Sequence, residues 1–160
     1  MLVAGPSGPA AASLAVEKDA RIAFLGLVFI DTSTEGAYFG VREDETARMG
    51  LLEDAVRDRF AEEGYAFMDL APIEGELAAT VNPADCYGCD IRMGRKLGAE
   101  YILVGEVQKV SNLILAMNLV LRDVASGGMV AGRAVDIRSN TDESWLRGMT
   151  YLMTHYFFEE

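Results

Sequence analysis

The chain has 160 residues, 51% of them hydrophobic, with 14 Lys and Arg against 25 Asp and Glu and a net charge of -11. That length holds one domain with a real core rather than two, and the acidic balance repels phosphate backbones and anionic lipid surfaces, so nucleic acid is excluded as a partner. The longest apolar or glycine run, residues 22–30, is far short of the roughly 20 residues of a membrane span, so no such span is expected.

The opening "MLVAGPSGPAAAS" is small and uncharged, and Ala10, Ala11 and Ala12 resemble the end of a secretory signal, without its basic start or long apolar middle. Residues 1–20 therefore read as a flexible tail or a signal-peptide remnant, and residues 21–160 as a single domain. Export to the periplasm is the expected localisation, with the cytoplasm as the alternative. "RIAFLGLVFI" is apolar on both faces, as suits a strand in the middle of a sheet. "DTSTEGAYFGVRED" carries turn formers and reads as a long loop leaving that strand. From 43 to 63, Met49, Leu52, Val56 and Phe60 recur at helical spacing, and Gly64 ends the pattern.

"YAFMDL" reads as a short second strand, and residues 73–81 as a weak helical turn. "DIRMGRKLG" is a short helix with Asp90 near its start and Gly98 past its end. Strands follow at 101–110, 113–121 and 129–139, joined by tight turns at Ser111-Asn112 and "ASGG". The last helix opens with Asn140 as cap and Glu143 three residues on, and carries a stripe of Trp145, Met149, Leu152 and Tyr156. The order β-α-β-α-β-β-β-α predicts an α/β fold bordering on α+β: one mixed sheet of about five strands flanked by helices.

Cys86 and Cys89 are the two cysteines, spaced C-x-x-C at a helix start. This spacing suits a structural disulfide, a redox pair with Cys86 attacking and Cys89 resolving, or half of a metal clamp. Asp85 and Asp90 flank the thiols and disfavour a thiolate, which weakens the redox reading. A structural zinc site prefers four Cys or His ligands, and His155 is the one histidine, so no metal is expected. No phosphate-binding loop, dinucleotide fingerprint or nucleophile elbow occurs, so neither a cofactor nor catalytic residues are assigned. The loop Asp31, Thr32, Ser33, Thr34 and Glu35 leaves a strand at its carboxyl end, where open α/β sheets bind ligands, and is the candidate ligand loop. Arg138, Asp142, Trp145 and Arg147 cluster where the last strand meets the last helix, as a candidate recognition patch.

"CYGCD", "LGAEYILVGEVQKVSNLIL", "LRDVASGG" and "DIRSNTDESWLRG" together resemble a DUF-type family of small bacterial exported or lipoprotein-like proteins with a C-x-x-C motif. More distantly, "LGAEYILVGEV" is similar to the N-terminal domain of TolB and to CsgG-type envelope modules. The resemblance implies a mixed sheet, envelope or periplasmic proteins as partners, and a non-catalytic binding or assembly role, with Cys86–Cys89 as a structural disulfide. Two alternatives stay open: thiol-disulfide exchange, and a small-molecule sensor or carrier accessory to quinoprotein alcohol oxidation. Self-association into a homo-oligomer is also left open.

Overall fold

The computed structural model describes residues 14–158. Its strands are β1 (Ile22–Asp31), β2 (Tyr101–Ser111), β3 (Ile114–Asp123) and β4 (Met129–Ile137). The helices are α1 (Thr34–Phe39), α2 (Glu43–Glu62), α3 (Glu74–Ala79), α4 (Cys89–Leu97) and α5 (Asp142–Tyr156). The strands lie in spatial order β1-β2-β3-β4; β1 and β2 run parallel, and β3 and β4 follow as an antiparallel meander. This is the mixed α/β architecture expected, with four strands instead of five.

The missing strand is "YAFMDL". Only Phe67 bridges to Ile22, and the Met68 amide donates to the Ile22 carbonyl at 2.8 Å. The alternating apolar residues there serve packing: Tyr65 is buried, and the Phe67 ring lies 5.2 Å from Phe24 and 5.1 Å from Phe60. Pro72 then sits in a 3-10 turn over Ala71–Ile73 that leads directly into α3, so the weak turn expected here is a built element. The loop expected after β1 likewise contains the short helix α1.

Helices α2 and α5 cover one face of the sheet. Leu52, Val56, Phe60, Trp145, Met149 and Leu152 meet Ile22, Phe24, Leu27, Leu103, Val107 and Met117 there. The opposite face buries a smaller cluster, in which Ile73, Ile91 and Met93 pack on Ala23, Leu25, Ile102 and Val104. That second layer covers only the β1–β2 half. Leu14, Val16 and Ala20, read from the sequence as part of the tail, belong to the larger core, and the Tyr65 hydroxyl donates to the Val16 carbonyl at 2.8 Å.

Phe24 and Leu27 face the same core although they are three apart, an odd spacing that breaks strand alternation. A bulge between them restores the phase, at Gly26 with φ of 96°, a backbone region that suits glycine. The Leu27 amide donates instead to Glu53 Oε1 of α2 at 3.0 Å, so a helix side chain replaces a ladder partner.

The cap of α5 also shifts by one residue from the expected position. Thr141 is the N-cap, and it exchanges hydrogen bonds with Ser144. Asn140 turns inward and joins the polar cluster described next.

Candidate functional site

At the carboxyl ends of β1 and β2 the chain gathers its own polar groups. In strand β2, Leu103, Val107 and Lys109 share the inward phase, so Lys109 points a charge into the core and is fully buried. Its ammonium lies 2.9 Å from Oε2 of Glu45, an equally buried residue in the first turn of α2. Asn140 Nδ2 donates to the same oxygen at 2.7 Å, and Arg48 Nη1 donates to Asn140 Oδ1 at 2.9 Å. Arg48 also pairs with Asp142 through Nε at 2.8 Å and with Asp44 at 3.1 Å. Among the described residues, Glu45 Oε1 and Trp145 Nε1 have no hydrogen-bond partner, and Lys109 Nζ makes its ion pair without hydrogen-bond geometry. Sequence reasoning missed this cluster; its one signal was a lysine at an inward strand position.

Around it, burial pushes the Asp44 carboxyl up, but the hydrogen bond from Arg42 and the charges of Arg48 and Arg42 outweigh burial and hold it below its ordinary value.

The Asp31–Glu35 segment lies at this same end. Asp31 accepts hydrogen bonds from both the amide and the hydroxyl of Ser33, and the Ser33 hydroxyl accepts from the Gly36 amide at 3.0 Å, capping α1. A Cβ on Gly36 would collide with the Asp31 carboxylate, so a larger residue there would displace Asp31 from its bonds to Ser33. Thr32 is tied through its amide and hydroxyl to the Lys109 carbonyl. Thr34 opens α1 and Glu35 lies in its first turn, so the polar atoms of this segment serve largely to cap a helix and close the strand end.

Cys86 and Cys89 are joined as a disulfide, with Cα atoms 5.4 Å apart. Tyr87 at φ 54° and Gly88 at φ 88° make the reversal between them, and Tyr87 is 98% exposed at the tip. The bond holds this loop against the start of α4. Asp90, buried beside it, receives Arg122 Nη1 at 3.5 Å, while Asn82 and Asn118 donate to the two carboxylate oxygens of Glu106. These groups tie the loop to the uncovered half of the second sheet face, leaving a groove of about 320 Å³ between them.

The third candidate cluster is split. Trp145 is fully buried, its ring 5.9 Å from Phe29, and Asp142 is held by Arg48. Arg138 and Arg147 remain together, and both line a groove of about 540 Å³ between β4 and α5. His155 stacks against Tyr151 at 4.2 Å on α5. Among the described residues no group of three or more His, Cys, Asp or Glu is placed to hold a metal, and no helix is long and apolar enough to cross a membrane.

The model of the DUF3280 family, described as a protein of unknown function (DUF2380), matches residues 20–157. No curated protein matches the chain significantly. Among solved structures, the chain is similar to the LpoB C-terminal domain from Salmonella enterica, at 14% identity over 79% of this chain and 88% of that one, with a TM-score of 0.54. It is also similar to lipoprotein GNA1162 from Neisseria meningitidis, at 15% identity over 85% and 96%, with a TM-score of 0.53. The hypothetical protein CT253 from Chlamydia trachomatis matches at 11% identity over 85% and 94%, with a TM-score of 0.51. At these identities the likeness is one of fold.

Proposed function

Because the chain belongs to the DUF3280 family and closes its two cysteines into a disulfide, we propose that it is a non-catalytic binding or assembly domain of the bacterial envelope, exported to the periplasm. The disulfide is the observation that carries this reading, since such bonds persist in oxidising compartments and rarely in the cytosol. The fold shared with lipoprotein GNA1162 supports the same compartment class. The partners of this chain are other envelope proteins. The disulfide acts as a staple, because both half-cystines are partly buried and the loop between them is tied to α4.

The test is to express the gene with its native upstream region, cross-link in living cells, and fractionate. Recovery of one defined envelope partner with oxidised Cys86–Cys89 is the expected result. A monomeric, partnerless chain with reduced cysteines in the cytosolic fraction overturns the reading. The reduction potential separates staple from exchange: a value below about -300 mV is expected, whereas one between about -120 and -270 mV belongs to a thiol-exchange protein.

A further inference from the structure

β4 is an edge strand, and its outer side has no strand partner among the described residues. The opposite edge is guarded differently. There Phe67 bridges to Ile22, and Glu53 takes the amide freed by the bulge in β1. An open row of backbone donors and acceptors is a template for another extended chain.

Beside that edge runs the 540 Å³ groove, floored by Gly148 and flanked by Val135, Ile137 and Tyr151. Arg138 and Arg147 both line it, and neither side chain makes a hydrogen bond or ion pair with a described residue. Asp136 is the one carboxylate of the lining, and it makes no ion pair with either arginine. Asp142, at the start of α5, is already paired with Arg48. Two arginines without an ion pair, against one carboxylate, therefore line one groove in a chain of net charge -11, which makes this surface locally basic and suited to an acidic segment.

We propose that an extended, acidic segment of a partner protein adds to the outer edge of β4. Its backbone continues the sheet, and its carboxylates meet Arg138 and Arg147. This inference rests on the binding role proposed above and names the surface and the chemistry of the partner. Backbone pairing supplies affinity and the two arginines supply selection for acidic sequences.

The probe is a dye-labelled, end-blocked peptide of alternating valine and glutamate, followed by fluorescence anisotropy. Three controls accompany it: the same peptide with lysine for glutamate, the glutamate peptide N-methylated at alternate residues, and the protein variant Arg138→Glu/Arg147→Glu, with thermal melting to confirm that it folds. Saturable binding of the glutamate peptide is expected. The double variant should weaken it by about tenfold or more, and the lysine peptide should bind the variant better than the wild type. N-methylation should abolish binding, because it removes the donors that pair with a sheet edge. Absence of saturable binding up to about 1 mM overturns the inference; so does binding indifferent to N-methylation, which marks a simple anion site. If cells yield an envelope partner whose capture is unaffected by the double variant, this surface is wrong while the binding role stands. A chain with no partner in cells removes the role itself.

Discussion

Lys109 and Glu45 form a buried ion pair whose attraction must offset the cost of taking two charges out of water. Removing one partner leaves the other charged and enclosed. Lys109→Met alone is expected to cost about 3–5 kcal/mol in urea unfolding, whereas Lys109→Met with Glu45→Met should recover most of that loss. A double variant no better than the single would mean that the pair contributes by attraction rather than merely avoiding an orphaned charge. Asp44 acts through pH. Its carboxyl is held below its ordinary value by Arg42 and Arg48 in spite of burial, so the folded state prefers the ionised form. Its contribution is therefore fully present above the ordinary value of 3.8 and is lost as pH falls through the depressed one. The stability difference between wild type and Asp44→Asn, followed by urea midpoint from about pH 6 to about pH 3, should shrink toward the acid end.

At the scale of elements, α4 and the loop before it depend on a very small covalent ring. With a sequence separation of 3 between Cys86 and Cys89, closing the ring removes little freedom from the unfolded chain, and reduction is expected to lower stability by only about 2 kcal/mol. Urea unfolding with and without reductant measures this. A loss well above that figure would show that the loop organises α4 and the contacts of Asp90 and Glu106, as well as restricting the unfolded chain. The helices α2 and α5 were legible in the sequence because their apolar positions repeat at helical spacing and both are long enough to bury a stripe. Of the two six-residue helices, α3 showed in the sequence only as the weak turn at 73–81, and α1 did not show at all. A helix so short carries no measurable period, and α1 exists because Ser33 caps it and Gly36 lets it close over Asp31.

In the whole molecule, two layers of unequal extent pack on one sheet, and the chain before β1 completes the larger. A protein beginning at Arg21 loses Leu14 and Val16, both 8% exposed, and leaves the Tyr65 hydroxyl without its carbonyl partner. Compared with a chain beginning at Leu14, it should be less stable by about 3 kcal/mol or more. Equal urea midpoints for the two would remove residues 14–20 from the core. Composition, periodicity and turn chemistry determined the mixed α/β class and the three strands from 101 onward, because those signals are local. Other features arose only when distant segments met. The strand expected at 65–70 became a packing segment because Phe67 finds Phe24 and Phe60. Asn140 became a bridge between Glu45 and Arg48 instead of a helix cap. Arg138 and Arg147 were separated from Trp145 and Asp142 because a helix turns successive residues to different sides: Trp145 inward, Asp142 toward Arg48, and Arg147 toward the open edge of β4. A one-dimensional pattern specifies which face of an element is apolar; which partner that face meets, and which polar groups remain free, is decided only by packing.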